Sequence, residues 1–180
     1  AWQRNPDLVL EFYNQRRRQL RDVEPNAGHR ALASLEKKYE VQIITQNVDD
    51  LHERAGSTKV LHLHGEMTKA RSTVDEHLVY PIGYEDIRAG DRCEKGSQLR
   101  PHIVWFGEAV PAIETAAGMV HAADMLLVVG TSLKVYPAAG LVQAVSSACR
   151  CFLIDPGLGT LNLGRQWTMM AEKAGVALPR

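Results

Sequence analysis

The sequence predicts an α/β protein, a parallel sheet with flanking helices and a small inserted lobe. Three observations predict it. Val41–Thr45, Met125–Val129 and Cys151–Ile154 are short β-branched or apolar runs, each the length of a buried strand. Helical patterns alternate with the later runs, as βαβ units of a Rossmann-like sheet require. Residues 67–100 break that rhythm with charges and turn residues, including Tyr80-Pro81-Ile82-Gly83 and Gly90, and read as an insertion.

Taken in order, Asn5 before Pro6 caps a first helix to Leu20, with Leu8, Val9, Leu10, Phe12 and Tyr13 followed by the basic run Arg16, Arg17, Arg18. Pro25 and Asn26 end it, and a second helix follows through Arg30, Leu32, Leu35 and Tyr39. The strand Val41–Thr45 runs into the polar cluster Gln46–Asp50, which opens a short helix that stops at Gly56. A second strand through Val60, Leu61 and Leu63 ends at His64-Gly65-Glu66. After the insertion, Ile103–Phe106 resumes the strand pattern. Helix Ala112–Ala122, strand Met125–Val129, the turn Gly130-Thr131-Ser132, helix Ala138–Ser147 and strand Cys151–Ile154 complete the alternation.

Composition narrows the function classes. The chain has 180 residues with 21 acidic and 21 basic side chains and a formal net charge of zero, which gives no electrostatic reason to expect nucleic acid or an anionic membrane as partner. Its longest apolar run, Met125–Val129, is far too short to span a bilayer. Three cysteines, Cys93, Cys149 and Cys151, are too few and too odd for a disulfide framework, so a reducing cytoplasm is expected.

Ligands of open parallel sheets gather beyond the carboxyl ends of the strands. Three predicted strand ends carry polar clusters: Thr45–Asp49, His62–Gly65 and Gly130–Ser132. Singly, each is as well explained by helix capping or a structural histidine. Together, at one edge of one sheet, they point to a nucleotide site.

Thr45-Gln46-Asn47-Val48-Asp49-Asp50-Leu51-His52, His64-Gly65, Val104-Trp105-Phe106-Gly107-Glu108 and Gly130-Thr131-Ser132 with Val135 and Pro137 resemble, in order, four motifs of the sirtuins. The resemblance implies an NAD-dependent protein lysine deacylase. Acyl-lysine proteins or peptides are its substrates, and nicotinamide and O-acyl-ADP-ribose its products. It implies Asn47 and Asp49 at the nicotinamide, Gln46 at its ribose, and His64 as the general base that withdraws a proton from the ribose hydroxyls. Imidazole titrates near neutral pH and suits that task. Gly130, Thr131 and Ser132 would lie along the phosphates and adenosine. Asp155 would lie near the adenosine ribose, unless it is simply the turn residue before Pro156, and Ala174 is a further cofactor-side position. Val104, Trp105, Phe106, Gly107 and Glu108 would bind the acylated peptide.

Tyr13-Asn14-Gln15-Arg16 resembles the Tyr-x-x-Arg pair of the class III sirtuins, bacterial ones included, which remove succinyl and malonyl as well as acetyl groups. Positions i and i+3 share a helix face, and arginine can bind a carboxylate through two parallel hydrogen bonds. The competing reading is a solvated basic face, since Arg17 and Arg18 follow.

The resemblance divides the chain into a helical segment at 1–24, an NAD-binding domain at 25–66 and 103–180, and a small lobe at 67–102. Two departures stand out. Most sirtuins hold a structural zinc in that lobe on two Cys-x-x-Cys pairs. The corresponding stretches here are Ser72-Thr73-Val74-Asp75 and Cys93-Glu94-Lys95-Gly96, so zinc is not expected, a mixed site of Asp75, His77 and Cys93 being the alternative. The family's opening strand and glycine-rich pyrophosphate loop also have no counterpart, so the sequence is expected to be an interior segment of a longer protein. Two other functions stay open: a non-catalytic module that binds nucleotide or acyl-peptide, and a protein ADP-ribosyltransferase.

Overall fold

A computed structural model describes residues 1–131, 133–158 and 163–180. In chain order its elements are α1 (Pro6–Asp22), α2 (Ala27–Leu35), β1 (Ile43–Thr45), α3 (Leu51–Arg54), β2 (Val60–His62), β3 (Gly65–Ser72), β4 (Val79–Pro81) and β5 (Leu99–Ile103). There follow α4 (Ile113–His121), β6 (Met125–Val129), a 3-10 helix at Ala138–Gln143, β7 (Arg150–Ile154), β8 (Trp167–Met170) and α5 (Ala174–Ala177). They form two compact units: Ala1–Glu24, Asn47–Asp50 and His64–Glu108 in the first, Pro25–Gln46, Leu51–Leu63 and Ala109–Arg180 in the second.

In the first unit, Asn5 Oδ1 accepts from Leu8 N at 3.0 Å and Pro6 fills the first turn, so α1 starts where its orphan donors are met. Its buried stripe is Leu10, Asn14, Arg17 and Leu20, a helical period with two polar members. Leu10 packs with Ala70 and Ile87 beneath Trp2, Ile82 and Leu99. Asn14 mimics a strand partner: its Nδ2 donates to Ile87 O at 2.9 Å and its Oδ1 accepts from Ile87 N at 3.0 Å. Arg17 donates from Nε to Met67 O at 2.7 Å and from Nη1 to Asn14 Oδ1 at 2.8 Å. Burial holds the Arg17 guanidinium down to about 10, below the usual arginine range.

The same unit carries an antiparallel sheet ordered β4-β3-β5, with Ala70 opposite both Tyr80 and Pro101. The strand expected at Ile103–Phe106 lies instead at Leu99–Ile103, and residues 104–108 leave the ladder. Glu108 draws them out, accepting from Trp105 N at 2.9 Å, while Glu108 N donates to Trp105 O at 3.0 Å.

At the far end of this sheet, hydrogen bonds join the two stretches that align with the family's cysteine pairs. Ser72 and Ser97 hydroxyls are 2.9 Å apart, and Cys93 Sγ lies 3.4 Å and 3.1 Å from them. Ser72 Oγ also accepts from Val74 N and Asp75 N, and Lys95 pairs with Asp75 at 2.6 Å. Asp75, His77 and Cys93 do not converge on a mixed site. Among the described residues no group of three or more His, Cys, Asp or Glu is placed to hold a metal.

In the second unit, β1 pairs parallel with β2, and β6, β7 and β8 form a parallel sheet in that order. The parallel strands therefore fall into two ladders, not one sheet. Leu63, Ala116 and Ala138 are the buried centre of this unit, with Ile44, Leu61 and Leu141 against them. The expected α-helix at Ala138–Ser147 is a shorter 3-10 helix. Gly140 N bonds Pro137 O at 2.9 Å and Ala144 N bonds Leu141 O at 3.0 Å, and a glycine inside the segment weakens its α preference. All three cysteines are free. No helix among the described residues is long and apolar enough to cross a membrane.

Gly65 begins β3 at φ +83°, and a Cβ there would collide with the His102 carbonyl. Gly65→Ala is expected to lower unfolding free energy by at least about 2 kcal/mol, from the left-handed backbone alone and then the clash; urea titration of both proteins measures it. Because hydrogen bonds and the Lys95–Asp75 pair join the lobe's two stretches, EDTA should leave the melting temperature unchanged, and elemental analysis should find well below about one zinc per chain.

Candidate active site

The first unit gathers His64, Asn47, Asp49, Tyr13, Arg16 and the segment 104–108. His64 precedes β3, and its carbonyl accepts from Val104 N at 2.9 Å, so the imidazole and the 104–108 segment share one backbone link. Met67 N donates to Val48 O at 2.7 Å, tying the strand after His64 to the Asn47–Asp50 loop. Arg17 takes the Met67 carbonyl, so α1 braces the same strand. The Tyr84 hydroxyl donates to Asp50 Oδ2 at 2.5 Å. Asn47 is exposed, and Asp49 and His64 are half-buried.

The three consecutive arginines have three environments. Arg17 is wholly buried. Arg18 is ion-paired with Asp86 and, at 3.4 Å, with Glu11. Arg16 is exposed, its guanidinium 5.3 Å from the Phe12 ring centroid, and it has no carboxylate partner among the described residues.

Segment 104–108 is organised by one carboxylate. Glu108 accepts from Arg100 Nη1 at 2.6 Å and Nη2 at 3.0 Å, from Arg71 Nη2 at 3.1 Å and from Trp105 N at 2.9 Å. Burial alone would raise the Glu108 carboxyl. The Arg100 and Trp105 bonds, with the Arg100 and Arg71 charges, outweigh it and hold the group below its ordinary range. Arg100 Nη2 also donates to Ile103 O at 2.7 Å. Its guanidinium lies 3.5 Å from the centroid of the Trp105 ring. Trp105 in turn donates from Nε1 to the Tyr13 hydroxyl at 2.8 Å. Trp2 flanks the indole, ring centroids 5.6 Å apart. Phe106 stands 99% exposed, and Gly107 turns the chain at φ +89°. Arg71, Arg100, Arg17 and Tyr84 were not singled out from sequence. For Arg17 the signal was present, as a polar member of the stripe from Leu10 to Leu20.

The second unit carries Gln46, Gly130, Thr131, Asp155 and Ala174. Ser132 lies outside the described residues. Val129 pairs with Ile154, so Gly130-Thr131 and Asp155 leave neighbouring parallel strands at the same edge. Gly130 has φ +62° and donates its N–H to Ile154 O at 2.9 Å. Thr131 Oγ1 accepts from Leu133 N at 3.2 Å. Asp155 Oδ1 accepts from Gly157 N at 2.6 Å, the turn role considered for it. Half-buried Gln46 follows the last residue of β1. Ala174 opens α5, close enough that a Cβ on Gly28 would meet its carbonyl carbon at 3.2 Å. A glycine turn, a hydroxyl and a carboxylate at adjacent carboxyl ends of parallel strands are a donor set that fits a dinucleotide.

Known proteins are similar in sequence and in fold. The sequence matches the Sir2 family over residues 1–137. It is 52% identical over 174 residues to an NAD-dependent protein deacylase of Helicobacter pylori, across 97% of this chain and 76% of that protein. With an NAD-dependent protein deacylase of Bacteroides thetaiotaomicron the identity is 54% over 162 residues, across 87% and 69% of the two. Among solved structures, a Sir2 homolog–NAD complex superposes with a TM-score of 0.89 at 36% identity, over 99% of this chain and 72% of that one. Sir2Tm bound to a propionylated peptide superposes with 0.83 at 30% identity, over 98% and 78%. With half the chain and more under one family profile, and relatives above half identity across most of both lengths, this chain belongs to the Sir2 family.

Proposed function

We propose that the chain is an NAD-dependent protein lysine deacylase acting on acetyl, succinyl and malonyl groups, with His64 as its general base. The observation that carries the reading is the backbone bond from Val104 to His64. It couples the imidazole to the same segment whose indole reaches Tyr13. Relatives named NAD-dependent protein deacylases support the reaction class. Three free cysteines support a reducing compartment, the cytoplasm.

In this reading Gly130, Thr131, Ser132, Asp155 and Ala174 hold the adenosine and phosphate side of NAD, and Gln46, Asn47 and Asp49 its nicotinamide end. Bound NAD supplies the electrophilic ribose carbon and the departing nicotinamide. His64 takes a proton at an imidazole nitrogen from a ribose hydroxyl. Val104–Glu108 hold the peptide, and Arg16 with Tyr13 meets the acyl end. Among the described residues the Arg16 guanidinium is uncommitted to any carboxylate, as a group awaiting an acidic acyl chain has to be.

His64→Ala is expected to abolish deacylation while the melting temperature and the Kd for acyl-peptide stay close to wild type. Near-normal turnover by the mutant overturns the base assignment. Removing one partner of a buried hydrogen-bonded charge pair costs about 2–5 kcal/mol, the case in which bound peptide covers the Arg16 guanidinium. Arg16→Met should therefore lower kcat/KM for a succinylated peptide roughly thirtyfold or more, at about 1.4 kcal/mol per tenfold, and for the acetylated peptide far less. Tyr13→Phe should act in the same direction by roughly two- to tenfold. Equal losses on both peptides would make α1 structural and the acidic-acyl reading wrong.

A further inference from the structure

We infer that Trp105 is a specificity-determining residue: its indole N–H occupies one lone pair of the Tyr13 hydroxyl and leaves that hydroxyl's hydrogen free, favouring Tyr13 as a donor toward the acyl group. The inference rests on the reading of Tyr13 and Arg16 as the acyl-recognition pair. An indole nitrogen can only donate. At 2.8 Å from Trp105 Nε1, the Tyr13 oxygen must accept, and one of its lone pairs is taken. No other hydrogen bond to that hydroxyl exists among the described residues, so its own hydrogen remains uncommitted. Burial raises the phenol above its ordinary value despite the Trp105 bond and the Arg100 charge, so the hydrogen is retained at neutral pH.

The indole itself is held from behind. Arg100 lies 3.5 Å from its ring centroid, and both of that guanidinium's terminal nitrogens are anchored on Glu108, which also takes the Trp105 backbone N–H. A cation at the ring draws electron density from it and strengthens the N–H as a donor. A carboxylate, which only accepts, then meets two kinds of donor, the Arg16 guanidinium and the Tyr13 hydroxyl. An acyl chain without an acceptor leaves the half-buried Tyr13 hydrogen unmatched, which disfavours it. Discrimination thus has a repulsive part as well as an attractive one.

The experiment compares kcat/KM for succinylated and acetylated forms of one peptide in wild type, Trp105→Phe, Tyr13→Phe and the double variant. Phenylalanine keeps a ring beside Arg100 and removes the N–H. The succinyl-to-acetyl ratio is expected to fall roughly two- to tenfold in Trp105→Phe, the size of one neutral hydrogen bond, and to fall no further when Trp105→Phe is added to Tyr13→Phe. A ratio unchanged in Trp105→Phe, or lowered equally with and without the Tyr13 hydroxyl, overturns the inference while leaving the acyl-pocket reading standing. A ratio unmoved by both Arg16→Met and Tyr13→Phe overturns both. Should Trp105→Phe fail to fold, β-(3-benzothienyl)alanine at position 105, isosteric with tryptophan but without the N–H, gives the same comparison with the same outcomes.

Discussion

Glu108 receives two bonds from Arg100, one from Arg71 and one from the Trp105 backbone, and the shape of the first unit's functional segment follows from that convergence. Two largely buried guanidinium groups around one half-buried carboxylate are expensive to desolvate, and such a cluster adds little net stability over an apolar one. What it supplies is direction. Arg100 is planar and doubly anchored, so the indole beside it has one favourable orientation, and residues 104–108 are held out of the β5 ladder where a continued strand would have buried them.

A second constraint comes from α1. Its apolar stripe is interrupted by Asn14 and Arg17, whose side chains replace backbone partners for Ile87 and Met67. A fully apolar stripe would pack this helix with some freedom to slide. Hydrogen bonds to two named peptide groups allow one register. Because Arg16 and Tyr13 project from the same helix, the pair proposed to recognise the acyl end inherits that register, and the strand following His64 is fixed by the same contacts.

Much of this was legible in the residues. Asn5-Pro6 marked the start of α1, the β-branched run ending at Thr45 marked β1, and Met125–Val129 was read to the residue. The motifs carried the family. What could not be read was anything set by partners distant in sequence. The strand beside Gly65 lies at Leu99–Ile103 and not later because Glu108 pulls the following segment away. Trp167–Met170 has one β-branched residue, Thr168, too weak a signal to mark a strand, and is a strand through its pairing with β7. Arg100 and Arg71 gave no local sign of their role, since a charge beside Pro101 or in an alternating strand reads as solvent-facing until its carboxylate is known. Arg17 is the instructive case. Its period with Leu10, Asn14 and Leu20 places it inward, but a run of three arginines suggests solvent, and here geometry outweighed composition.

The stacking of aromatic rings in the first unit also has an optical side. Trp2, Trp105 and Trp167 are the chain's tryptophans, and the first two lie with ring centroids 5.6 Å apart, Tyr13 a further 6.3 Å from Trp105. Indole emission shifts with the electric field across the ring, and the Arg100 cation, 3.5 Å from the Trp105 centroid, contributes to that field. In the proposed acyl pocket, a negative group arriving at the Tyr13 hydroxyl would change that field at the opposite end of the same hydrogen bond. On that proposal the protein contains its own chromophore for the charge of its substrate, one that responds to binding before any bond is broken.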